Sequence, residues 1–382
     1  MRRTIFDSDH EQFRQTVMAA LERDIAPRVE AFERQGHIDR DVFVQLGELG
    51  IIGIQVPEHF GGGGQRSFKF NAVIFEASAH TRIPLGALQV HMNVVMPYFL
   101  KYSTPAQQQR WFPGLASGET LTAIAMTEPG AGSDLAGIAA AATPRGDGGY
   151  LLSGSKTFIT GGYNADLVVV VARTSAEENR RSGMSLLVVE EGMTGFARGR
   201  KLSKLGLGTQ DTVELFFDEV YIPPDNVLGE TGAAFTLLAS NLPQERLSIA
   251  LSAVAMSEAA LTETIAYTKG RNVFGKPLST FQNSKFELAD MGASVTAARV
   301  LVDHALEALD AGALTPADAA RVKLFTTELQ GRVVDRCLQL HGGYGYMREQ
   351  PITRMYADAR VSRIYGGSSE VMKLIISKDM GL

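Results

Sequence analysis

Thr212-Val-Glu-Leu-Phe-Phe-Asp-Glu-Val220 is the stretch that decides the fold. Its apolar and polar residues alternate with the period of two expected of a half-buried strand. Upstream, Tyr150 to Thr160, Leu167 to Ala172 and Met184 to Glu190 are further short runs, rich in β-branched residues and separated by turns. Gly146-Asp147-Gly148-Gly149 stands before the first of them and contains the Asp-Gly pair that suits a hairpin. Pro223-Pro224 closes the region, so residues 121–230 read as an all-β middle domain.

Working outward, both flanks turn helical. Phe13, Val17, Leu21 and Ile25 recur at helical spacing, and Val42, Leu46 and Leu49 repeat the habit. Residues 1–120 therefore read as an all-α unit, interrupted at Gly61–Gly64 by what is expected to be a flexible loop. After Gly232, helices of bundle length are predicted over Ala233–Lys269, Ser284–Leu309 and Pro316–Leu340. Thr315-Pro316-Ala317-Asp318 opens the last with a capping hydroxyl, a proline at the first helical position and an acid at the third. With residues 231–382 as a second helical unit the order is α, β, α, an α+β chain.

Composition narrows the function. Thirty-seven Lys and Arg against 42 Asp and Glu give a net charge of −5, which offers no general attraction for nucleic acid or anionic lipid. The single Cys337 excludes an internal disulfide, and a reducing, cytoplasmic setting is expected. The longest unbroken apolar run, Leu167–Ala172, is too short to span a bilayer, and the first residues lack the apolar core of a signal peptide. The seven histidines show no metal-ligand spacing, so no metal is expected.

Two segments exceed what packing requires. In Ala125-Met-Thr-Glu-Pro-Gly-Ala-Gly-Ser-Asp-Leu-Ala-Gly137, glycines and small residues let a flat or phosphorylated ligand approach the backbone, while Thr127 and Ser133 offer hydroxyls. Its glycine spacing is not that of a dinucleotide fingerprint. In Gln339-Leu-His-Gly-Gly-Tyr-Gly-Tyr-Met-Arg-Glu349, three glycines interrupt a long helix where a helix end needs one, which points to a ligand or another subunit pressing close.

With both segments in view, the chain resembles the acyl-CoA dehydrogenase family of flavoproteins over essentially its whole length. The resemblance implies an N-terminal α-helical domain, a middle antiparallel β-barrel and a C-terminal four-helix bundle. It also implies bound FAD, a homotetramer built as a dimer of dimers, and electron-transfer flavoprotein as the electron acceptor. Carried over residue by residue, it places Ile124, Ala125, Met126, Thr127, Gly132 and Ser133 along the flavin, with Phe158, Ile159 and Thr160 beside its ring. Phe158 stands where tryptophan is common, and its phenyl face keeps the stacking role. Arg271, Phe274 and Gln282 are expected at the FAD diphosphate, Gln339, Leu340, Gly342 and Gly343 at the adenosine end across a subunit boundary, and Ser368 and Glu370 again at the cofactor. Ser133, Pro243, Gln244, Arg246 and Tyr365 are expected around the substrate.

The family's reaction needs a base for the α-proton of an acyl thioester. Many members carry it as glutamate in a Tyr-Glu-Gly-Thr segment, and Ile364-Tyr365-Gly366-Gly367-Ser368 has glycine at that position. Glu245, in Leu242-Pro-Gln-Glu-Arg-Leu247, resembles the base of the isovaleryl and long-chain subgroups, which lack the C-terminal glutamate as this chain does. An apolar acyl pocket would raise its pKa toward neutrality. Surface pairing is the ordinary fate of a helical glutamate, and the vacancy at 366 favours catalysis. Gly366 retains a backbone N–H for the thioester carbonyl. Rival expectations are a dehydrogenase or oxidase of acyl groups on a carrier protein and, more remotely, a nucleic-acid-binding flavoprotein.

Overall fold

The computed structural model describes residues 3–382. Six α-helices form the first unit: α1 (Ser8–Ala20), α2 (Val29–Gln35), α3 (Arg40–Glu48), α4 (Lys69–Thr81), α5 (Met96–Tyr102) and α6 (Pro105–Ser117). The glycines at 61–64 do not make a flexible loop. Gly63 and Gly64 donate to the carbonyls of Gly53 and Val56 at 3.1 and 2.9 Å, and a Cβ at Gly62 would lie 2.1 Å from Val56 O. These glycines are a close-approach device rather than slack.

Eight strands follow as one sheet: β1 (Thr122–Ala125), β2 (Ala141–Pro144), β3 (Tyr150–Thr160), β4 (Leu167–Arg173), β5 (Met184–Glu190), β6 (Phe196–Lys201), β7 (Thr212–Ile222) and β8 (Val227–Leu228). The Asp-Gly turn joins β2 to β3, with Gly148 left-handed at φ +84°. Pairing is antiparallel except that β1 runs parallel to β4 and β2 touches β4 parallel at Ala141 and Arg173. The uniform apolar run of β4 has a physical cause, because both of its faces are covered. Val168, Val170 and Ala172 enter a core inside the sheet domain, whereas Leu167, Val169 and Val171 meet α5, α6 and the start of the C-terminal unit.

The C-terminal unit comprises α7 (Ala234–Gly270), α8 (Gln282–Asp310), α9 (Pro316–His341), α10 (Pro351–Ala359) and α11 (Ser369–Asp379). Thr315 caps α9 by accepting from Asp318 N at 3.1 Å. Long and apolar enough to cross a membrane by length and composition, α7 is instead largely buried, sharing a core with α4, α8 and α9. It passes through Pro243 without ending. Helices of the first unit thus lie against both the sheet and α7, and the candidate site forms where the three units meet.

Candidate active site

The sheet contributes an open ledge. β3 carries a bulge between Lys156 and Ile159, and within it Phe158 adopts φ +59° and stands 66% exposed. A left-handed, outward-turned aromatic is an expensive arrangement that marks sites where a ligand is met. Beside it, Thr157 N donates to Thr127 O at 2.9 Å, so the signature loop and the bulge form one surface. Gly132 and Ser133 lie exposed at the loop tip, and no atom comes within 4 Å of a Cβ built at Gly132. Ile124, Ala125 and Ile159 point into the cores, so any ligand contact from them falls to their backbone.

A buried ion pair holds this ledge, and local sequence gave no sign of it. Lys156, fully enclosed on β3, donates to Glu128 Oε1 at 2.8 Å and to Met126 O at 3.0 Å. Glu128 also accepts from Ala139 N and Ala140 N at 2.8 and 2.9 Å. Burial favours the neutral acid, but Lys156 and the two amides together hold the Glu128 carboxyl below its usual range. One lysine therefore fastens the loop at 126–128 to the strand that bears Phe158.

On α7 stands Glu245, 4% exposed. Its Oε1 accepts from Tyr98 Oη at 2.8 Å and Asn241 Nδ2 at 3.1 Å, while Oε2 receives no hydrogen bond among the described residues. Burial pushes the carboxyl up to about 7, against the opposing pull of Tyr98, Asn241 and neighbouring Arg246. Tyr98 follows a π-helical turn at Val90–Val95. Pro97 has no N–H for the Asn93 carbonyl four residues back, and Gln244 Nε2 donates there instead at 3.3 Å. Arg246 is buried beside Glu245, and its Nε has no partner among the described residues.

One turn beyond Glu245, Ile249 abuts Gly366. A Cβ at 366 would lie 2.4 Å from Ile249 Cδ1, and Gly366 sits at φ +63°, so a side chain here would need Ile249 to shift and would strain the backbone. The structure thus brings Glu245 and the Gly366 turn together. Tyr365 and Ser368 flank that turn, Ser368 caps α11, and Glu370 is exposed on its first turn.

A third group gathers at the far end of the bundle. Arg271 lies over the Tyr344 ring at 5.5 Å, and Tyr267 stacks on His341 at 4.0 Å. Phe274 is 96% exposed, and Gln282, Gln339, Gly342 and Gly343 are exposed nearby in the chain, with Leu340 half-buried. Among the described residues no hydrogen bond joins this group to the ledge at 126–160. Gly345 is the glycine a close contact demands, for its Cβ would lie 2.5 Å from Leu338 O within the same chain.

These surfaces fit a flavin nucleotide. The bulge offers an outward aromatic, the signature loop has open glycines and hydroxyls, and the Arg271 guanidinium, lying over Tyr344, has the chemistry a diphosphate requires.

Comparison with known proteins agrees with the geometry. The acyl-CoA dehydrogenase N-terminal, middle and C-terminal domain families match residues 7–119, 123–220 and 232–381. A mitochondrial long-chain specific acyl-CoA dehydrogenase of Sus scrofa is 41% identical over 379 residues, covering 99% of this chain and 88% of the relative. An acyl-CoA dehydrogenase structure from Geobacillus kaustophilus superposes with a TM-score of 0.95 at 41% identity, covering 99% of both chains. A glutaryl-CoA dehydrogenase from Mycobacterium smegmatis in complex with FADH2 gives a TM-score of 0.89 at 26% identity, covering 98% of this chain and 95% of that one. The chain belongs to the acyl-CoA dehydrogenase family.

Proposed function

We propose that this protein is an FAD-dependent acyl-CoA dehydrogenase in which Glu245 is the base, with the preference for long acyl chains that its 41% identical long-chain specific relative carries in its name. The observation that carries the reading is a buried carboxyl near pKa 7, held through one oxygen by Tyr98 and Asn241 with the other free, one helical turn from the residue that abuts Gly366. Bound FAD supplies the acceptor for the hydride that leaves the β-carbon. Glu245 Oε2 takes the α-proton, and Tyr98 and Asn241 keep the carboxyl from rotating away. The N–H of Gly366 faces the thioester carbonyl, where negative charge grows as the proton leaves. Met126, Thr127, Phe158 and Thr160 would hold the ring, and Ser368 and Glu370 would reach the cofactor from the C-terminal side. Ser133, Pro243, Gln244, Arg246 and Tyr365 surround the substrate.

Mixing the purified yellow protein anaerobically with a panel of acyl-CoAs of increasing chain length tests this. Flavin bleaching that is strongest with long straight chains is expected. Bleaching by none of them overturns the reading, and bleaching only by carrier-protein thioesters moves the substrate to a biosynthetic acyl chain.

A homotetramer, and electron-transfer flavoprotein as acceptor, belong to the same proposal. Arg271, Gln339 and Gly343 lie apart from the flavin ledge of their own chain, and the bundle exposes Phe274, Phe286 and Tyr346, the last 82% exposed. Exposed aromatics of that size belong at contacts between subunits. Light scattering is expected to return four times the chain mass, and a monomer would leave the adenosine site incomplete and sink this part.

A further inference from the structure

Lys323 sits on α9, its side chain is wholly enclosed, and its Nζ donates to the carbonyl of Gly367 at 2.6 Å. That is its one hydrogen bond among the described residues. The charged groups facing it are Arg246 from α7 and Glu328 from its own helix. Glu328 is already engaged, accepting from Ser369 Oγ at 2.6 Å and lying 3.5 Å from Arg363. A buried ammonium beside a second cation, without a carboxylate of its own, is unfavourable for folding. Burial and Arg246 pull it down to about 8, which still leaves most of it charged at neutral pH.

What the lysine holds explains its presence. Gly366 and Gly367 are both left-handed, at φ +63° and +93°, and a Cβ at 367 would lie 2.7 Å from Met372 Cε. Two consecutive glycines have almost no intrinsic conformational preference. The orientation of the Gly366 N–H must then be set from outside the turn. Ser368 caps the helix that follows, and Lys323 fixes the carbonyl between the two.

We infer that Lys323 is a positioning residue for the thioester, clamping the Gly366–Gly367 turn so that the Gly366 N–H points at the substrate carbonyl, with the buried charges of Lys323 and Arg246 behind it. The inference rests on the assignment of Gly366 and Glu245 proposed above. As the α-proton passes to Glu245, negative charge moves from that carboxylate to the thioester oxygen, and a cation fixed behind the turn favours its arrival there.

The test compares wild-type holoenzyme with Lys323→Met and Lys323→Arg. Each receives acyl-CoA for steady-state kinetics and a 3-thiaacyl-CoA, whose α-proton can leave but whose β-sulfur has no hydride to give. Its deprotonated form against oxidised flavin is read as a long-wavelength charge-transfer band. Lys323→Met is expected to keep FAD and its melting temperature, to lose roughly tenfold to a hundredfold in kcat with a smaller change in KM, and to show a weakened band; Lys323→Arg is expected to restore part of both. A methionine variant with wild-type kcat and band overturns the inference. So does one recovered without FAD or unfolded, because loss of a positioning contact leaves the fold intact. Absence of the band in wild type, together with no bleaching by acyl-CoA, instead brings down the assignment of Gly366 and Glu245, and this inference with it.

Discussion

Replacing Glu245 by glutamine leaves a yellow, FAD-bound protein whose turnover falls about 10²- to 10⁴-fold, the usual contribution of a positioned general base. The fold survives because the new amide oxygen accepts the same bonds from Tyr98 and Asn241 that Oε1 accepts now. It also removes a carboxyl whose charged form burial disfavours. What disappears is the lone pair that takes the α-proton. The same carboxyl sets a pH limb in the wild type. With its pKa pushed up to about 7, Glu245 is protonated and idle below that pH and charged above it, so kcat/KM rises through about 7 as pH increases. Rapid-reaction flavin reduction measured from pH 5 to 9, a window of about two units either side of that value, reads both effects. A glutamine variant that reduces flavin at near-normal rates removes Glu245 from the mechanism.

Lys156→Met is expected to loosen the flavin ledge and to destabilise the chain by about 3–5 kcal/mol, the cost of leaving one member of a buried pair behind. Glu128 would keep its two amide donors and lose the cation Lys156, and Met126 O would lose a donor. Since these bonds fix residues 126–128 against the strand carrying Phe158, the weakened fold and weakened FAD retention should appear together. Thermal melting and the fraction of FAD retained after gel filtration measure them. Adding Glu128→Gln removes the stranded charge and is expected to recover part of the loss. A single variant that melts with wild type and keeps its flavin equally well shows that the pair does not support the ledge.

The long helices were readable because their signals are local. The capping set at Thr315–Asp318, the apolar period through α7 and the alternation along β7 all lie within one element. Short strands were less readable: β2 and β6 are four and six residues, and neither carries an alternating pattern strong enough to separate it from a turn. Glu245 emerged through resemblance, from glycine standing at 366. Tyr98 had no such pointer, since a tyrosine after Met-Pro on a helix looks like core.

The sequence by itself determined the α, β, α order and the two glycine-rich motifs, because each depends on residues close together along the chain, and resemblance, rather than local pattern, singled out Glu245 as the candidate base. Tertiary structure alone decided what surrounds them. Tyr98 meets Glu245 across 147 residues, and Lys156 meets Glu128 across 28. Ile249 from α7 occupies the space a side chain at Gly366 would need, and Lys323 from α9 seizes the next carbonyl. Such contacts follow from how helices cross and strands register, which no local pattern encodes. Burial at that junction, not the identity of the residue, moves a carboxyl with an ordinary pKa of 4.5 up to about 7.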